Sequence, residues 1–147
     1  MKPVLVVLAF AALAVPAPAA EKKLQVKDLP PAVQKTVAEQ TKGAQIKGIS
    51  RETEKGVVQY EIETLVSGKA RDFNVDTSGK LLVVEEEVPI DRIPPAARFA
   101  IEKKTAGGRI TRVETVTEDG VTSYEAAYTK GGRTHEIGVK ADGSEMK

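Results

Sequence analysis

Residues 93–108 read IPPAARFAIEKKTAGG, and residues 29–44 read LPPAVQKTVAEQTKGA. In both, a double proline suits the first turn of a helix, where a backbone N–H has no intrahelical partner to lose, and a glycine stands just past the far end, where the chain must leave the helix. Between them Leu29, Val33 and Val37, and again Ile93, Ala97 and Ile101, recur every four residues. That spacing gives a helix of about three turns one apolar stripe, which has to be buried against something else.

The surroundings say what that is. Aligning 29–80 with 93–144 needs no gap and matches, beyond the helix phrase, Gly56 with Gly120, Tyr60 with Tyr124, Gly68 with Gly132, Val75 with Val139 and Gly79 with Gly143. The chain reads as a leader (1–20) followed by two copies of one unit, 21–88 and 89–147, joined through VEEEVPIDR at 84–92. Each helix phrase is followed by three turn signals: Lys55-Gly56, Ser67-Gly68 and Ser78-Gly79, then Asp119-Gly120, Gly131-Gly132 and Asp142-Gly143. Flanked by alternating residues, such pairs are two-residue hairpin loops.

Counting outward from those loops puts Ile49 and Phe73 across from Ile62, Val75 across from Tyr60 and Leu82, and Val84 across from Phe73. In the second copy Val113 and Ile137 fall across from Ala126, and Tyr124 across from Val139. Independent turns place all these apolar residues on one face, as a true register requires. The fold expected is α+β: two tandem repeats, each one helix packed on an antiparallel β-meander of three to four strands. Four strands are expected in the first repeat; the last strand of the second is a stub, with Met146 opposite Val139. Units of about 60 residues are marginal alone, which favours docking side by side, for instance as one sheet.

The L/I-P-P-A helix start, the glycine-punctuated meander and the acidic E-E-E-V-P linker into a second copy together resemble the PepSY-like family, also described as β-lactamase-inhibitor-like. The resemblance covers residues 28–87 and 92–146. It implies a secreted or periplasmic α+β module whose relatives include propeptide domains that restrain metallopeptidases. It brings no catalytic residues, and fold similarity does not transfer a target.

Within 1–20, Lys2 precedes an uncharged apolar run from Val4 to Val15, then Ala17-Pro18-Ala19. The run is too short to span a bilayer and the small residues suit a cleavage site, the pattern of a secretory signal peptide. A periplasmic or secreted protein is expected, with no membrane insertion after the leader is removed. There is no cysteine, and without Lys2 basic and acidic residues balance. No nucleic-acid partner is expected, since phosphate binding needs a clustered excess of Lys and Arg.

Catalytic patterns are missing: no phosphate loop, H-E-x-x-H, nucleophile elbow or calcium loop occurs. The single histidine, His135, falls opposite Tyr128, while Ser123 points to the other face and Ser144 sits at a turn, so neither serine makes a triad with it. Neither an enzyme nor a cofactor is expected. On the open face, Glu63 falls opposite Asp72 and Asp72 opposite Glu85. Like charges across a ladder repel, so this row is a candidate metal site for a hard cation such as calcium, unless water and nearby lysines screen it. The second copy has Ala127 where Glu63 stands. Arg71 falls opposite Glu86, a plain ion pair.

Protein-binding faces are usually anchored by Trp, Tyr or Arg. The chain has no Trp, and its three tyrosines map under the helices. The open face instead carries Gln59, Glu61, Asn74 and Asp76, with Ser123, Glu125, Thr134 and Glu136 in the second copy. The leading expectation is an exported non-enzymatic binding module with a protein partner, a regulator or inhibitor of an envelope or secreted protein such as a peptidase. The alternative is a periplasmic module binding a cation or small ligand on the acidic open face of the first repeat.

Overall fold

The computed structural model describes residues 23–54 and 56–146, so the leader lies outside the described residues. Helix α1 (Pro31–Gln40) is followed by strands β1 (Gln45–Glu54), β2 (Val57–Val66), β3 (Lys69–Asp76) and β4 (Leu81–Glu87). Helix α2 (Pro95–Lys104) is followed by β5 (Arg109–Glu118), β6 (Val121–Lys130) and β7 (Arg133–Val139). The strands form one antiparallel sheet in chain order, an α+β fold in which each half supplies one helix and its meander. The halves join edge to edge through the β4–β5 pairing, Val83 opposite Glu118 to Glu87 opposite Glu114. No helix among the described residues is long and apolar enough to cross a membrane.

Both helices begin as their prolines dictate: Pro30 and Pro94 flank the start and Pro31 and Pro95 occupy the first helical position. Each ends on a threonine, whose N–H and hydroxyl both donate to the carbonyl four residues back, Thr41 to Val37 and Thr105 to Ile101. The buried stripe of α1, with Leu29 just ahead of it, packs on Tyr60, Ile62, Phe73 and Val75. Ile93, Ala97 and Ile101 pack on Val113, Ala126, Ile137 and Val139. Phe73 has no exposed surface, and burying such a side chain contributes roughly 2–3 kcal/mol. The expected pairs Ile49–Ile62, Ile62–Phe73, Tyr60–Val75, Phe73–Val84, Val113–Ala126, Ala126–Ile137 and Tyr124–Val139 are all present.

The third turn of each half differs from expectation. Asp76 N–H donates to Lys80 O and Gly79 N–H to Asp76 O, both 3.0 Å, so the loop has three residues and ends on Gly79 at φ 87°. Such a loop, closing on a left-handed glycine, is the next commonest hairpin after the two-residue kind. It moves the pairing by one: Val75 faces Leu81 rather than Leu82, and Val139 faces Glu145 rather than Met146. In the first half an irregularity between Asn74 and Val75 then restores the count, so Phe73 still meets Val84 and Asp72 still meets Glu85. The longer loop and the bulge cancel. The last segment of the second half is a stub, the isolated Val139–Glu145 bridge.

The loops touch the helices. A Cβ on Gly79 would lie 2.7 Å from the carbonyl oxygen of Ala32, and one on Gly143 2.6 Å from that of Ala96. Thr36 Oγ1 donates to Gly79 O at 2.6 Å. Glycine at these two positions provides both the left-handed backbone and the room for helix and loop to meet.

Candidate functional site

With the core residues of the strands turned toward the helices, the alternate residues line the other face. There the sheet forms a concavity of about 340 Å³ to which all seven strands contribute. From the first half come Glu61 and Glu63 on β2, Asp72 on β3 and Glu85 on β4; from the second come Glu114, Glu125 and Glu136 on β5, β6 and β7. The cations lining it are Lys47, from the irregular stretch of β1 between Ile46 and Gly48, and Arg112. Gln59, Asn74, Ser123 and Glu114 are buried, as are Val83 and Val116 on the same side.

The ladder explains the charge crowding. Asp72 faces Glu85, Glu87 faces Glu114 and Glu114 faces Glu125. Glu85 is pushed up to about 8, first by burial and then by the charges of Glu114, Glu125, Glu61 and Asp72. Burial also dominates at Glu61, raised to about 7 with help from its hydrogen bond to Glu52, while Ser50, whose hydroxyl donates at 3.2 Å, opposes the rise. Glu125 rises to about 7 through burial and its neighbours Glu136 and Glu114. Glu114 is raised by burial, against the pull of Arg112, whose Nε lies 3.2 Å from its carboxylate. Burial and like charge both favour the neutral acid, and here they act together on four neighbouring glutamates.

The three residues singled out from the sequence are brought to this concavity, but each has its own surroundings. Glu63 is exposed, its carboxylate over Gly48, where a Cβ would come within 2.8 Å of it. Asp72 Oδ1 accepts the Thr64 N–H at 2.9 Å. Glu85 is half-buried between Asp72 and Val116. Among the described residues, no three Asp, Glu, His or Cys side chains converge as a metal ion needs. Ala127 does replace Glu63, but the β4–β5 pairing brings Glu114, Glu125 and Glu136 into the same concavity. Glu114 escaped the sequence reading although the Asp119-Gly120 turn alone sets it opposite Glu125, a like-charged pair readable by counting.

The remaining candidates have local partners. His135 stacks on Tyr128, ring centres 5.2 Å apart. Ser123 Oγ donates to Val116 O at 3.4 Å and Ser144 Oγ to Asp142 at 2.6 Å. Arg71 does more than the expected pairing with Glu86 at 3.0 Å: it also donates to Gln40 O and Gln40 Oε1, tying the end of α1 to β3, and lies over the Phe73 ring.

Neither a protein-family model nor a curated protein matches the chain. Solved structures do. A candidate periplasmic protein from Bacteroides eggerthii superposes with a TM-score of 0.65 at 14% identity, over 81% of this chain and 86% of that one. A DUF2874 family protein from Bacteroides ovatus gives 0.61 at 15%, over 81% and 85%. A BLIP-like protein from Bacteroides fragilis gives 0.58 at 18%, over 81% and 84%. The chain shares their fold. At such identities the likeness concerns architecture, and function must be argued from the site.

Proposed function

We propose that this protein is an exported, non-enzymatic binding module of the periplasm or extracellular space, and that its acidic concave sheet face receives a basic surface of a protein partner. The observation that carries this reading is the convergence of half-buried glutamates from both halves on one concavity, with Glu61, Glu85 and Glu125 raised to about 7, 8 and 7. Isolated, the face is short of positive charge; an Arg- or Lys-bearing surface supplies it and lets the acids ionise. Recognition of this kind gives specificity and fast association without an aromatic anchor. The leader supports export, the BLIP-like architecture suits a protein-binding role, and a secreted or envelope peptidase is the partner class that the PepSY-like resemblance favours. The repeats 21–88 and 89–147 then act as one receptor, since neither encloses the concavity alone.

A hard cation at Glu63, Asp72 and Glu85 is the second reading, favoured by the Asp72–Glu85 pairing that places two carboxylates side by side. Calorimetry on the leaderless protein separates the two. An arginine-rich peptide is expected to bind the wild type more tightly at pH 8 than at pH 6, releasing protons, and to bind Glu61→Gln/Glu85→Gln/Glu125→Gln poorly. Calcium or magnesium heats that vanish in Glu63→Gln/Asp72→Asn favour the cation instead. Equal peptide heats in wild type and triple variant dismiss the proposed face.

A further inference from the structure

Away from the concavity, the two halves differ in how the last strand of each is covered. In the first, the outer edge of β3 is filled by β4: Val84 lies opposite Phe73 and packs on the core, and two residues on Glu86 lies opposite Arg71 and pairs with it at 3.0 Å. In the second, the equivalent strand β7 is the last of the sheet. The chain passes it with only the Val139–Glu145 bridge and the bond from Met146 N–H to Gly138 O, 2.9 Å. That bond shows the backbone of Gly138 facing outward, and in an antiparallel ladder Glu136 and Thr134 then face outward too. Among the described residues no strand pairs with them.

Beside this edge, between β7 and α2, runs a groove of about 380 Å³ floored by Ala96, Ala100, Ile137 and Val139. Phe99 stands at its wall with 68% of its surface exposed, at the position where the first half has Lys35. Lys103 and Asp142 line the same groove, as do Lys104 and Glu145, which pair at 2.9 Å. His135 occupies the place of Arg71, and Arg133 follows on the same side of the strand.

We infer that the outer edge of β7 and this groove take an extended peptide segment that pairs antiparallel with β7, placing an apolar residue opposite Ile137 and a carboxylate two positions later opposite His135. The chain's own Val84-Glu85-Glu86 shows the pattern filling the matching place in the first half, and Arg133, two residues from His135 on the same side of β7, supplies a cation beside the carboxylate's place. The residue between them faces Glu136, so a third acid there is disfavoured. An exposed sheet edge supplies the main-chain bonds and the groove supplies the selection, as in strand addition generally. The groove lies between β7 and α2, on the other side of the sheet from the concave face, and the two share Glu136, whose side chain lines the concavity while its backbone faces the open edge.

The test uses a labelled peptide, VSEEV, the 84–88 segment with Glu85→Ser, which starts opposite Ile137 and leaves the places opposite Gly138 and Val139 to Met146 and Glu145, and fluorescence anisotropy on the leaderless protein. Wild type is expected to bind it and not a scrambled peptide. Glu136→Pro removes an outward N–H without touching the β6 ladder and is expected to lose at least about tenfold in affinity. His135→Glu is expected to weaken binding about tenfold and to regain it when the peptide carries Glu86→Lys. Should Glu136→Pro not fold, judged by circular dichroism, the charge exchange decides alone. Equal binding of the scrambled peptide, or no binding at millimolar concentration, overturns the inference. So does a wild-type dimer that Glu136→Pro dissociates and the peptide leaves intact, since the edge would then join two copies of this chain.

Discussion

Replacing Glu85 by Gln measures the repulsion held in the concavity. Glu85 ionises at about 8 in the folded chain against an ordinary 4.5. At about 1.4 kcal/mol per tenfold change in proton activity, this sets about 5 kcal/mol against the charged form. Water in the open concavity and relaxation of neighbouring carboxyls reduce what one substitution returns to about 1–3 kcal/mol. The sign follows from proton binding: between about 4.5 and 8 the folded state holds a proton that the unfolded chain has released. This stabilisation is complete below 4.5 and is lost as pH rises through 8. Glu61 and Glu125, both raised to about 7, act in the same direction. Urea unfolding followed by circular dichroism should show wild type losing stability from pH 5 to pH 9. Glu85→Gln should match it at pH 5 and lose less by pH 9. Equal losses in the two proteins, or a wild type more stable at pH 9, would show that the Glu85 carboxyl does not carry this pH dependence.

Gly79→Ala combines a left-handed φ of 87° with a Cβ 2.7 Å from the Ala32 carbonyl oxygen. It should cost about 2–4 kcal/mol in thermal unfolding, whereas Gly56→Ala, at φ 81° with no atom within 4 Å of the new Cβ, should cost only about 1–2. Phe73→Ala should cost about 3–5 kcal/mol by denaturant titration, because the wholly buried ring sits between α1 and the sheet. Arg71→Met should lower stability by about 1–2 kcal/mol through the lost bonds to Gln40 and Glu86, with the amides at the end of α1 exchanging faster in hydrogen-exchange measurements. A loss no greater than that of an exposed lysine such as Lys42→Met would contradict that anchoring.

Much of the fold is legible because its determinants are local. Proline and glycine mark the ends of α1 and α2, and turn glycines fix the registers that put Phe73 and Ile137 under their helices. The Ser78-Gly79 loop shows the limit: its third residue depends on Asp76, whose carboxylate accepts the Ser78 N–H, the Ser78 hydroxyl and the Lys80 N–H, competing with the ladder for backbone donors. The site is less legible than the fold. The β4–β5 pairing is made across α2, with no hairpin from which to count, so nothing in the order of residues puts Glu85 beside Glu114 and Glu125. Burial of Gln59, Asn74 and Ser123 depends equally on how the whole sheet curves, which alternation alone does not encode.

The concave acidic face is the binding surface proposed for this protein. It is tested most directly by immobilising the leaderless wild type and the Glu61→Gln/Glu85→Gln/Glu125→Gln variant, both checked for folding, and passing envelope extract over each at low salt. The wild type is expected to retain a basic protein which elutes with salt, and the variant is not. Retention of the same protein to the same extent by both would contradict it.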